Sequence, residues 1–166
     1  MNLTKTERLL LSNQFRILHH LTENEYYSTN AEIVENGYAG LYDELFSPIF
    51  EEKPEAIYTE TQLILHMYRV INNAYVRLSP EEQAQIAMDA IAFEGFDGNN
   101  DPHSGLITFL VEKKDLWDEY KDKYLNSHSS LSIRKYRRML EVYDKLGGDS
   151  HNHYTVGELL QFQAAL

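Results

Sequence analysis

The sequence predicts an all-α fold, a single-domain irregular bundle of about seven to nine helices spanning 1–166, with a Gly/Asn-rich interhelical loop near 93–100. Apolar residues recur at three- and four-residue spacing through most of the chain. Thr4 stands three positions before Glu7, Ser79 before Glu82 and Thr155 before Glu158, each pair reading as a capping box that satisfies free N–H groups at a helix start. Strand-type alternation is nearly absent, with only Ile91-Ala92-Phe93 reading as a short extended piece.

The first helix opens at Thr4 and runs to about Leu21, with an apolar stripe of Leu10, Leu11, Phe15, Leu18 and Leu21 and with Ser12, Arg16 and His19 opposite. A second spans about Glu25 to Glu35 and stops at Asn36-Gly37, where glycine accepts the left-handed C-cap. A short third carries Tyr42, Leu45 and Phe46 as far as Pro48. The segment from Ala56 to Leu78 is the most apolar, with Ile57, Ile64, Met67, Tyr68, Ile71, Tyr75 and Leu78 on one face. Its only polar stripe is Gln62, His66, Arg69, Asn73 and Arg77, so it is the central helix, covered on most sides.

Ser79-Pro80-Glu81-Glu82 restarts the chain with a cap and a proline at the first helical position. Asp101-Pro102 reads the same way, leading into Leu106, Phe109 and Leu110 and, past Glu112-Lys113-Lys114, Trp117. Asn126-Ser127-His128-Ser129 is a polar connector. Ser132 to Leu146 is amphipathic through Ile133, Tyr136, Met139, Leu140, Tyr143 and Leu146, and Gly147-Gly148 ends it. The last capping box starts a short helix with Leu159, Leu160 and Phe162.

Composition narrows the function classes. The 166 residues include no cysteine, which removes disulfides, thiolate metal sites and cysteine nucleophiles and fits a reducing compartment. No apolar leader follows the first residues and no apolar run is long enough to cross a bilayer, so the expectation is a soluble cytoplasmic protein. The formal charge of −11, from 26 acidic against 15 basic residues, repels phosphates and anionic lipid over the surface as a whole. Tyrosine dominates the aromatics with 12 residues, so buried rings are expected to direct hydroxyls to backbone partners or water.

Each chemical motif has a plainer competitor. Asp97, Asn99 and Asp101 match the first, third and fifth ligand positions of a calcium loop, but Pro102 stands where the turn needs glycine and Thr108 where it needs glutamate. Gly95 to Asn100 matches neither phosphate-loop nor dinucleotide patterns, and a turn with Phe93 and Phe96 anchored in the core accounts for it. Asp149, His151 and His153 alternate, as a chelate on extended backbone would, yet they lie in a Gly/Asp/Ser-rich connector that reads as solvated. The basic run Arg134-Lys135-x-Arg137-Arg138 forms a mixed-sign stripe with Glu141 and Lys145, Arg137 facing Glu141, which argues for ion pairing over phosphate contact. His66 and Arg69, one turn apart, combine a proton carrier with an anion-binding group, although no nucleophile motif or close carboxylate pair accompanies them.

Five stretches together resemble the YfbU family of uncharacterised bacterial proteins: Glu7-Arg8-Leu9-x-Leu11-Ser12-Asn13-Gln14-Phe15; Glu35-Asn36-Gly37-Tyr38 with Tyr42-x-x-Leu45-Phe46; Met67-Tyr68-Arg69; Phe93-x-Gly95-Phe96-Asp97-Gly98-Asn99-Asn100; and Tyr136-x-x-Met139-Leu140-Glu141-Val142-Tyr143. The resemblance implies an all-helical bacterial cytoplasmic protein and supplies no catalytic residue; the Asp149 to His153 stretch departs from the family pattern. The leading expectation is a non-enzymatic regulatory or protein-interaction module that self-associates through apolar helix faces as a homodimer or other homo-oligomer, with no catalytic residue, cofactor or metal and no membrane contact. The alternative is a small-molecule-binding enzyme or sensor with a polar site formed by His66 and Arg69 and the loop residues Asp97, Asn99 and Asn100. A weaker one is nucleic-acid binding through the Arg134–Arg138 helix.

Overall fold

The computed structural model describes residues 2–127, 132–151 and 153–166. They contain eight α-helices, α1 Lys5–Thr22, α2 Glu25–Asn36, α3 Tyr42–Phe46, α4 Glu55–Tyr75, α5 Pro80–Gln83, α6 Ser104–Glu112, α7 Ser132–Lys145 and α8 Val156–Ala164, with four short 3-10 turns between them. The fold is all-α, as the periodicity predicts. The three capping boxes all form, with Thr4, Ser79 and Thr155 accepting from the backbone N–H of the glutamate that in turn caps them. Gly37 ends α2 at φ 70°, the left-handed cap that its position predicts. His128 and Ser129 of the expected polar connector lie outside the described residues.

The chain divides into two compact units, 1–52 and 53–166. In the first, α1 packs along α2 over a small cluster of Ile33, Val34 and Tyr42 flanked by Leu3, Leu11, Phe15, Leu45 and Phe46. Here the structure corrects the wheel for α1. Ser12, expected to face away from the core, is buried, and its hydroxyl donates to Glu35 Oε1 at 2.5 Å. Arg16 also turns to α2, holding both carboxylate oxygens of Glu35 at 2.7 and 2.6 Å. The polar contact decides which side of α1 meets its neighbour, and it turns Leu10, Leu18 and Leu21 outward.

The larger unit is built on α4, whose Ile64, Leu65, Met67, Tyr68, Val70, Ile71 and Ala74 are buried among α6, α7 and α8. Burial and hydrogen bonding agree for most of its tyrosines. Tyr136 donates to Gly95 O at 2.6 Å, Tyr120 to Leu65 O at 3.4 Å and Tyr68 to Met139 Sδ at 3.2 Å. Burial pushes all three hydroxyls well above the ordinary tyrosine range.

Three element expectations are revised. α6 starts at Ser104 behind His103, because the Asp101 carboxylate, expected as the cap, is taken by Asp97 N–H at 2.9 Å and the Ser132 hydroxyl at 3.1 Å. Trp117 lies beyond that helix at φ 63°, in a turn between Asp115 at φ 51° and Asp122 at φ 62°. The extended piece is Phe96, bridged in parallel to Asn126, while Ile91 closes a 3-10 turn.

Candidate functional site

Two regions carry exposed chemistry, the polar stripe of α4 and the outer face of α1. Along α4 the stripe acts as a clamp for two connectors. Gln62 accepts the indole N–H of Trp117 at 3.0 Å, and Arg69 holds Glu119 through two bonds at 2.5 and 2.9 Å while its guanidinium lies 4.0 Å over the Trp117 ring. The Arg69 guanidinium holds the Glu119 carboxyl below the usual carboxylate range, against a smaller opposing effect of burial. His66 turns to the other connector, where its Nε2 lies 3.3 Å from Asp149 Oδ1. Arg77, in the turn just past the end of α4, donates to His153 Nδ1 at 2.8 Å.

His66 and Arg69 therefore engage different segments, and neither meets the 93–100 loop. Arg69, Asn72 and Asn73 line an open cavity of about 520 Å³ closed on its far side by residues 115–119, with none of Asp97, Asn99 and Asn100 on its wall. Asp149, His151 and His153 also part company. Asp149 accepts from the Tyr143 hydroxyl at 2.5 Å, and His151 lies 3.1 Å from Glu158. Among the described residues no three His, Asp, Glu or Cys side chains gather as a metal would need.

The 93–100 loop is a structural pin. Phe96 is fully buried, with Phe93 packed beside it at 5.5 Å between ring centroids. Phe96 N–H donates to Leu125 O and Ser127 N–H returns to Phe96 O, both at 3.0 Å. Gly95 makes this approach possible: it sits at φ +89°, and a Cβ there would lie 2.2 Å from the Leu125 carbonyl carbon. Asp97 is buried and accepts from Asn99 N–H at 2.9 Å and the Asn100 amide at 2.6 Å, so its carboxylate is spent on closing the turn. Asn99 and Asn100 remain on the surface.

A charged chain supports the pin from below. Arg137 holds Glu60 through two bonds at 2.7 and 2.9 Å, and Glu60 accepts from His103 Nε2 at 2.9 Å. The buried His103 ring stacks on Phe96 at 5.0 Å, leaving Nδ1 without a partner among the described residues. Arg137, expected to face Glu141, thus reaches across to α4, and its guanidinium holds the Glu60 carboxyl low. Two more members of the basic run are also occupied, Lys135 by Glu94 at 2.9 Å and Arg138 by the carbonyls of Ala165 and Leu166, while Arg134 stays exposed. Arg138 so caps the end of α8, where free carbonyls favour a cation.

The outer face of α1 is the other exposed region. Leu10, Ile17 and Leu21 are 59%, 59% and 72% exposed, with Leu18 beside them and only Gln14 interrupting the stripe. The spacing 10, 14, 17, 21 alternates four and three, the seam that two helices share when they pack side by side. No charged residue lies within the seam itself.

Periodicity revealed the α4 stripe and the apolar content of α1. It missed His103, Glu60 and Trp117, whose partners stand 43 to 77 residues away in the chain. The one visible clue was Asp115-Leu116-Trp117-Asp118, where large apolar residues interrupt a charged run without helical spacing.

Comparison with known proteins follows the same lines. The family model described as the YfbU domain matches residues 1–165. The UPF0304 protein MJECS11 of Methanocaldococcus jannaschii is 33% identical over 148 residues, covering 86% of this chain and 88% of that protein. Among the described residues no helix is long and apolar enough to cross a membrane.

Proposed function

The chain belongs to the YfbU family, uncharacterised in activity, and from that premise we propose that it is a non-enzymatic regulatory or protein-interaction module that self-associates through the outer face of α1. The observation that carries this reading is the seam of Leu10, Ile17 and Leu21, turned to solvent because Ser12 and Arg16 claim the side facing α2. Scattered exposed leucines are ordinary, but a helical row of them is the mark of a contact surface.

A second copy is the partner that fits. The face is uncharged, so two copies bring no like charges together there despite a formal charge of −11 each. A two-fold pairing lays the seam against itself with Leu10 opposite Leu21, and Gln14 acts as the polar position that sets register. Covering Leu10, Ile17 and Leu21 recovers about 1–2 kcal/mol each from their exposed area. Across two copies that is roughly 8 kcal/mol, to which Leu18 adds about 1–2; against an association cost at the low end of about 4–15 kcal/mol the net is about 5–6 kcal/mol, a dissociation constant of tens to hundreds of micromolar.

Sedimentation velocity from about 1 to 500 μM tests this reading. The parent is expected to move from a 19.4 kDa species toward twice that mass, and Ile17→Glu with Leu21→Glu to remain monomeric at every concentration with its helix content intact. A parent that stays at 19.4 kDa throughout, or a double variant that associates as well as the parent, would end the proposal.

A further inference from the structure

The cavity beside Arg69 carries chemistry that the self-association reading does not use. Its volume of about 520 Å³ falls within the range of small-molecule sites. One wall is the Arg69 guanidinium, fixed at its edge by Glu119 and covered on one face by Trp117, with the side chain still 41% exposed. A guanidinium held this way offers its remaining planar face for stacking without losing further side-chain freedom. Asn72 and Asn73 stand next to it on the same cavity wall, exposed, and their carboxamides have no partner among the described residues.

The electrostatics restrict what such a site takes. Glu119 neutralises Arg69, and Lys121 Nζ lies 3.1 and 2.9 Å from Asp115 and Asp118, so both nearby cations are already paired. Three carboxylates around the cavity disfavour a phosphate or carboxylate ligand. A planar face with two adjacent carboxamides suits an uncharged heterocycle whose edge carries both donors and acceptors, because a carboxamide pairs with such an edge through two bonds.

We propose that the cavity between α4 and residues 115–119 is a binding site for a nucleobase or nucleoside without phosphate, stacked on Arg69 and read at its edge by Asn72 and Asn73. Trp117, the chain's sole tryptophan, supplies the reporter, since its ring backs Arg69 and its N–H is fixed by Gln62.

The test is an NMR titration of the ¹⁵N-labelled full chain with adenosine, cytidine and AMP, following the Trp117 indole, the Arg69 Nε–H and the two asparagine amides. The expected result is saturable shifts at these groups, with a dissociation constant on the order of 0.1–1 mM for a nucleoside. AMP is expected to bind at least threefold more weakly. Asn72→Ala with Asn73→Ala should weaken nucleoside binding about tenfold or more while circular dichroism and thermal midpoint stay at parent values; both positions are exposed, so folding is not at stake. Arg69→Lys, which keeps the charge and removes the planar face, should weaken it similarly. Absence of saturable shifts with 10 mM nucleoside would overturn the site. So would unchanged affinity in the asparagine double variant, or AMP binding as tightly as adenosine.

Discussion

Replacing Gly95 with alanine isolates what pins the 93–100 loop. The position holds φ +89°, which costs an L-residue about 1–2 kcal/mol in the left-handed half of backbone space. The added Cβ would also stand 2.2 and 2.3 Å from the carbonyl carbon and oxygen of Leu125, a clash with backbone that no rotamer relieves. Moving the two segments apart removes the bonds from Phe96 N–H to Leu125 O and from Ser127 N–H to Phe96 O, each contributing about 0.5–1.5 kcal/mol. Together the substitution should cost about 3–4 kcal/mol, a large share of the roughly 5–15 kcal/mol typical of a domain. Urea denaturation followed by far-ultraviolet circular dichroism reads this as a midpoint lowered by about 1–4 M for slopes of about 1–3 kcal/mol/M. Gly98→Ala is the control, because the atoms nearest its Cβ would be those of the Asn126 side chain, the closest at 2.9 Å, a group whose displacement gives up the bond from Gly98 N–H to its Oδ1 but moves no backbone. Equal costs at the two glycines, or a cost below about 1 kcal/mol at Gly95, would refute the reasoning.

Other substitutions address the remaining contacts. Ser12→Ala removes a buried hydroxyl from Glu35 and should lower stability by about 1 kcal/mol in the same urea assay, whereas Asn13→Ala, exposed one residue on, should be near neutral. Glu119 has its folded pKa depressed, chiefly by Arg69, so its contribution is full above the unfolded carboxylate value near 4.3 and is lost as pH falls through the lower folded value. Calorimetry should therefore show a parent midpoint that holds from about pH 7 to 5 and drops below about pH 4, and Glu119→Gln should remove part of that drop, about 0.5–1 kcal/mol after solvent screening of this half-exposed pair. Because Lys135, Arg137 and Arg138 are engaged within the protein, filter retention of random DNA or RNA at low salt should stay at background, and Arg138→Ala should act on stability alone.

What the sequence made legible was whatever depends on neighbours three or four positions away. The capping boxes at Thr4, Ser79 and Thr155, the glycine cap at Gly37 and the buried face of α4 all follow from local spacing. The loop reading followed from residue chemistry in that Phe93 and Phe96 anchor it, whereas Asp97, expected as an exposed binding candidate, turns inward to close the turn. What escaped depended on distant partners. Ser12 looks like a surface residue until Glu35, 23 positions on, accepts its proton. Asp101 looks like a cap until Ser132 draws its carboxylate into the interior. Trp117 reads as the continuation of a helix, but its indole N–H bond to Gln62 and its stack under Arg69 fix it in a left-handed turn that local propensity disfavours. The sorting of Gln62 and Arg69 to one connector and of His66 and Arg77 to the other is likewise invisible on a helical wheel, because all four share one stripe.

Solvent accessibility of individual methyl groups tests the self-association face most directly. With ¹³C-labelled leucine, isoleucine and valine methyls and a soluble paramagnetic agent, the relaxation of Leu10, Ile17, Leu18 and Leu21 is measured at about 10 μM and again at about 500 μM. Val76, 67% exposed just past the end of α4, serves as the internal standard. The account predicts that the α1 methyls lose most of their solvent relaxation at the higher concentration while Val76 keeps its own. Equal accessibility of Leu10, Ile17 and Leu21 at both concentrations would contradict it.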